Sequence, residues 1–196
     1  YILGNAGTMA SIEINGHEDT KGLCVDISER IINEVADYHF SQSGDLKEFL
    51  LTDQFLVNTY KARNTNLGYA LHEINRQVSG GQHSNELLNT ELFYSIAESI
   101  VADQAIIYEQ YSRLQFKKTE TRQSLFRQLL EAREYMDAHL SDDIHLDQII
   151  RNAFMSKYHF IRLFKATFIL SPYQYILRKR LESARVQLLG GSNVTE

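Results

Sequence analysis

The stretch His145–Gly190 reads HLDQIIRNAFMSKYHFIRLFKATFILSPYQYILRKRLESARVQLLG. Leu146, Ile149 and Ile150 recur at helical spacing and predict a short helix over His145–Ala153. Phe154 and Met155 fill a turn, and Ser156 is a good N-cap for a second helix running from Lys157 to about Phe168. At about 100° per residue, Lys157, Tyr158, Ile161, Arg162 and Lys165 fall within an arc of about 140°, with Phe160, Leu163, Phe164 and Thr167 opposite. Ser171-Pro172 pairs an N-cap with proline at the first helical position. It opens a third helix through Leu189, which Gly190-Gly191 closes. Two short helices joined by a tight turn, the second cationic outside and apolar inside, have the form of a helix-turn-helix. A charged outer face is also what any solvated helix shows, so the pattern needs independent support.

Charge supplies it. From His145 to Gly190 the basic residues are Arg151, Lys157, Arg162, Lys165, Arg178, Lys179, Arg180 and Arg185, and the acids are Asp147 and Glu182. That stretch carries +6 inside a chain of net charge −5, leaving −11 on the remainder. A basic module on an acidic body is suited to phosphate attraction.

Moving outward, Arg122–Leu140 predicts a helix with Leu125, Leu129, Ala132 and Met136 on one side. The polar link Lys117–Thr121 precedes it and is the expected domain boundary. Asn85–Leu114 predicts a long helix whose Leu88, Leu92, Ile96, Ile100, Ala105 and Tyr108 form an apolar stripe, either core or dimer seam. Shorter helices are expected over Glu29–Tyr38, capped by Ser28, and over Leu46–Tyr60 and Leu67–Gln77, with a break at Ser79-Gly80-Gly81. Residues 1–27 look extended instead. Ser11–Asn15 alternates with period two, as do Leu23, Val25 and Ile27, with a turn at Gly16–Asp19 between them. The expected fold class is therefore mainly α with a short β segment at the N-terminus.

Leu146, Ala153, Ser156, Phe160, Arg162, Phe164-Lys165, Ser171-Pro172, Tyr175, Arg180-Leu181, Ala184 and Leu188-Leu189 together resemble the first half of the AraC-family DNA-binding domain, without a gap in spacing. Thr121-Arg122 resembles the approach to that domain, and Gly22–Ser28 is similar to the end of the cupin-like sensor found upstream of it. The resemblance divides the chain into a remnant of the β-rich sensor (1–40), a helical linker or dimerisation region (41–118), and the first half of the DNA-binding domain (119–196). It implies two helix-turn-helices bridged by a long helix, here Pro172–Leu189, with the second starting at Asn193. That fits Asn193 and Glu196, spaced as a helix-opening cap, and suggests truncation; a frayed tail is the plain alternative. The resemblance also places base reading at Tyr158, Ile161 and Arg162. Arg162 suits a bidentate contact to guanine, and Tyr158 or Ile161 suits thymine methyl groups. Ser156, Lys157 and Lys165 are candidates for phosphate contact, which positions without specifying. Arg178 and Lys179 are exposed phosphate candidates or simply a solvated face. Arg180 either touches DNA or holds its helix against an acid such as Asp147. His159 borders the reading face as a half-buried packing residue. The pattern departs from the family twice: Ile150 stands where a small Ala is usual, and Ile169 where Gly is usual. Ile169 is strained if that turn needs φ > 0.

The implied function is a sequence-specific transcription regulator acting on double-stranded DNA as a homodimer, with a small-molecule effector at the upstream sensor. The rival reading is a helical dimerisation module whose truncated DNA-binding domain holds operators weakly. No enzyme signature stands out: there is no phosphate loop, nucleophile elbow or His-Glu-x-x-His, and no cofactor or metal is expected. His17-Glu18-Asp19 reads as a turn, not a metal cluster. A composition of 43% hydrophobic and 23% charged residues, with no long apolar run, leads us to expect no membrane role. The single Cys24 favours a cytoplasmic setting and reads as a small buried hydrophobe.

Overall fold

A computed structural model describes residues 2–3, 24–40, 44–50, 65–79, 90–151 and 155–191. These residues hold eight helices: α1 (Glu29–Phe40), α2 (Gly44–Leu50), α3 (Asn66–Ser79), α4 (Thr90–Ser112), α5 (Thr119–Ala138), α6 (Leu146–Arg151), α7 (Lys157–Phe168) and α8 (Pro172–Leu189). The mainly α expectation holds. The strand over Ser11–Asn15, the turn with His17-Glu18-Asp19, Leu23, residues 51–60 of the second expected helix, Gly80-Gly81, Leu88, Asn152–Phe154 and Ser192–Glu196 lie outside the described residues.

The chain forms two compact units, Tyr1–Tyr108 and Glu109–Glu196. In the first, Val35, Ala36, Leu46, Leu50, Ala97 and Val101 make one core cluster, and Leu67, Ile74, Ile96 and Ile100 make another. Ile96 and Ile100, from the expected stripe of α4, are buried there, which makes that part of the stripe core. Residues 24–28 form no strand but keep the period-two alternation: Val25 and Ile27 pack against the clusters while Cys24 and Asp26 face solvent. Cys24 is therefore exposed, not the buried hydrophobe expected, because alternation puts it on the opposite side from Val25.

The opening of α3 accounts for every amide of its first turn. The N–H groups of Asn66 and Leu67 donate to the buried carboxylate of Asp103 on α4, both at 3.0 Å, and the Asn66 side chain adds a third bond at 2.9 Å. Gly68 N–H donates to Thr65 Oγ1 at 3.0 Å, and Tyr69 N–H to the Thr65 carbonyl at 3.2 Å. A helix start otherwise leaves four such donors without partners.

In the second unit α5 packs on α6, α7 and α8, while α7 packs on both α6 and α8. Phe126, Leu129, Ala132 and Met136 bring the buried side of α5 to this core, with Ile149 from α6, Phe160, Leu163 and Phe164 from α7, and Ile176 from α8. α5 begins at Thr119, three residues before the expected Arg122, so the link is shorter than its composition indicates. Arg122 draws the link in: its Nε and Nη2 donate to the Tyr111 carbonyl at 3.1 and 2.9 Å, and its guanidinium lies 3.9 Å from the Tyr111 ring centroid.

Candidate nucleic-acid interface

Ser156 sets the start of α7. Its backbone is extended, and its hydroxyl oxygen accepts the His159 N–H at 3.4 Å. This phosphate candidate is thus the N-cap of the helix that carries the base-contact candidates. Phe160, Phe164 and Thr167 are wholly buried on one side. The Phe164 ring meets Phe160 at 5.6 Å, Phe168 at 4.6 Å and Tyr175 at 5.8 Å between centroids. That packing leaves the opposite side of α7 to solvent. Tyr158 is 80% exposed, Lys157, Arg162 and Lys165 are exposed, and Ile161 is half-buried. The structure therefore brings together on one helix the three base-contact candidates with Lys157 and Lys165.

Neighbouring groups tune this face lightly. Arg162 Nη2 lies 3.4 Å from Nδ1 of the half-buried His159, a hydrogen bond in the tautomer whose Nδ1 accepts. Lys157 Nζ is 3.4 Å from Asp147 on α6. Both members of that pair are exposed, so it contributes on the order of 0–1 kcal/mol and yields readily to a phosphate.

α7 stops at Ile169, whose φ of 69° and ψ of −25° put it in the left-handed region, with its N–H on the Lys165 carbonyl at 2.9 Å. The strain foreseen at this position is present. A left-handed conformation costs an L-residue roughly 1–2 kcal/mol, most for a β-branched one. At 62% exposure the Ile169 side chain recovers little of it through packing. We expect Ile169→Gly to raise unfolding free energy by about 1 kcal/mol, net of the extra chain entropy glycine brings to the unfolded state. Thermal unfolding reads this as a rise of about 4–8 °C. A melting temperature at or below the parent value would contradict the strain.

Ser171 starts α8 with a reciprocal capping box: Gln174 N–H donates to Ser171 Oγ at 3.3 Å, and Ser171 N–H to Gln174 Oε1 at 3.0 Å. Pro172 follows, where no amide is needed. Arg180 holds α8 to the turn that follows α5, but not through an acid. Its Nε donates to the Leu140 carbonyl at 2.8 Å and its Nη2 to the Asp142 carbonyl, while Asp147, the partner considered, pairs with Lys157 instead. The reason is geometric: Leu140 and Asp142 lie in the turn just past α5, where no helical ladder supplies donors to their carbonyls, and a guanidinium fork spans both. Tyr175 donates to Asp137 Oδ1 at 2.8 Å; burial first, then the Asp137 charge, pushes its phenol above the ordinary range. Arg178 and Lys179 lie on α8. They share Glu182 at 3.0 and 3.3 Å and line a cavity with Arg113 and Arg133 that includes none of the α7 outer-face residues.

A stretch of 55 residues is 38% identical to the regulatory protein PocR of Salmonella typhimurium. The chain is similar to a regulatory protein. The similarity covers 28% of this chain and 18% of PocR, so the chain spans less than a fifth of that relative's length. No family model and no solved structure matches the chain.

Three arginines were not singled out by their sequence context as site residues: Arg113, Arg122 and Arg133. Arg113 Nη1 donates to the Thr167 carbonyl at 3.0 Å, tying the α4–α5 connection to the end of α7. Nothing in the local pattern around Arg113 points to a partner 54 residues away. Among the described residues no cluster of His, Cys, Asp and Glu could hold a metal ion, and no helix is long and apolar enough to cross a membrane.

Proposed function

We propose that this chain is part of an AraC-type transcription regulator and that α7 is its recognition helix, entering the major groove of double-stranded DNA. The observation that carries this is the division of α7 into a wholly buried aromatic side and an exposed side bearing Lys157, Tyr158, Arg162 and Lys165, within a unit where α6 and α7 form the helix pair. The similarity to a regulatory protein points the same way. Tyr158, Ile161 and Arg162 then read bases, and Ser156, Lys157 and Lys165 hold phosphates. α8 fits the bridging role. Every residue from Leu181 to Gly191 is exposed, and Leu177, Leu181, Ala184 and Leu188 line up within about 60° as an apolar stripe that a second helix-turn-helix covers. Homodimerisation, a small-molecule effector acting at an upstream sensor, and a cytoplasmic setting belong to the same proposal.

The test starts by enriching bound duplexes from a randomised pool, then compares the enriched sequence with a scrambled one by fluorescence anisotropy. Arg162→Ala should lose about 5- to 150-fold in affinity on the enriched duplex, the span of one bidentate base contact, and little on the scrambled duplex. Lys165→Ala should weaken both alike and lower the salt slope by about one. Failure to enrich any sequence, or equal losses on both duplexes for Arg162→Ala, would sink the assignment of α7.

A further inference from the structure

The second unit contains a cavity of about 310 Å³ bordered by the end of α4, by α5, by the α7–α8 connection and by α8. Four of its lining residues are cations, Arg113, Arg133, Arg178 and Lys179, against one acid, Glu182. Phe168 and Tyr175 supply aromatic walls. We propose that this cavity binds a small organic oxyanion, a carboxylate or phosphoryl group carried on a flat apolar body.

Countercharge is what the site lacks. Arg178 and Lys179 divide a single carboxylate between them, while Arg113 is paired with Glu109 at 2.5 Å. Arg133 makes no ion pair among the described residues. Its guanidinium donates to the neutral Gln110 Oε1 at 3.2 Å and lies 4.9 Å from the Phe168 ring centroid, and the residue is half-buried. A partly desolvated guanidinium held by one edge and one face has N–H groups left for a bidentate acceptor. A half-buried cation without an anion is also costly, and a bound oxyanion relieves that cost. The volume lies at the lower end of the roughly 300–1,000 Å³ typical of small-molecule sites, and the aromatic walls favour a ligand with an apolar portion. A DNA backbone phosphate is the competing occupant. The concave, aromatic lining and the absence from it of every α7 outer-face residue favour a free compound, and the proposal does not depend on α7 reading DNA.

Isothermal titration calorimetry on the full 196-residue chain tests this with three probes: phenyl phosphate, phthalate and inorganic phosphate. Either aromatic probe should saturate one site with a Kd near or below about 1 mM, tighter than inorganic phosphate, and their order separates a phosphoryl from a carboxylate preference. Arg133→Gln should weaken binding at least about tenfold. Glu182→Gln should tighten it several-fold by releasing Arg178 and Lys179, a gain that no merely structural role produces. Circular dichroism checks that each variant is folded, and Glu182→Gln decides the matter if Arg133→Gln is not. The proposal is overturned by an absence of saturable binding, by unchanged affinity in the folded variants, or by a scrambled duplex being the sole species whose binding responds to Arg133→Gln.

Discussion

Phe164→Ala is expected to lower the stability of the Glu109–Glu196 unit by about 3–5 kcal/mol, the cost of emptying a large aromatic site in a packed core. Phe164 is wholly buried and its ring contacts Phe160 and Phe168 from its own helix and Tyr175 from α8, so the loss falls on the seam that seats α7. A small domain holds only about 5–15 kcal/mol in total, so about a fifth or more of the margin goes with one side chain. Hydrogen exchange on the full chain localises the effect: amides of α7 and α8 should lose protection while those of α3 and the first half of α4 keep theirs. Protection in α7 within threefold of the parent would contradict the assignment of Phe164 to the core. For function, a loosened α7 loses its outward face as a fixed array, so any DNA affinity should fall even though no candidate contact has been altered.

Asp103→Ala is expected to cost roughly 3 kcal/mol in the other unit, since hydrogen bonds to a charged group contribute about 1.5–3 kcal/mol and those sharing one acceptor are not additive. Asp103 is 8% exposed and accepts three bonds from Asn66 and Leu67. Removing it leaves two amides at the start of α3 without acceptors and withdraws a negative charge from the positive end of the helix dipole. Asp103→Asn should lose less, because one acceptor oxygen remains. Urea unfolding followed by circular dichroism measures both, and a change within about 0.5 kcal/mol for the alanine variant, the range of an ordinary surface substitution, would rule the cap out.

Ser156, Ser171-Pro172 and Gly190-Gly191 marked the ends of α7 and α8 correctly, and the buried side of α7 was legible as Phe160, Leu163, Phe164 and Thr167. These features are written at spacings of one to four residues, where helical geometry alone decides which side chains share a face. The cost at Ile169 was legible too, but only as a condition on a backbone angle. Arg180 shows the limit. It read either as a DNA contact or as held against an acid such as Asp147, until the turn after α5 was seen to stand beneath it. Arg178 and Lys179 were legible only as exposed phosphate candidates or a solvated face. Packing instead turned them towards Arg113 and Arg133.

By itself, then, the sequence determined that the described residues are mainly helical, where α7 and α8 begin and end, and which side of α7 faces solvent. Only the tertiary structure decided that Asp103 caps α3, that Arg180 ties down the turn after α5, and that Arg113 reaches the end of α7, across separations of 37, 40 and 54 residues. The physical reason is the range of the determinants. Periodicity and capping act within a turn or two of helix, whereas the partner of a long-range hydrogen bond is set by how whole helices pack, and many residues of the right type compete for that place.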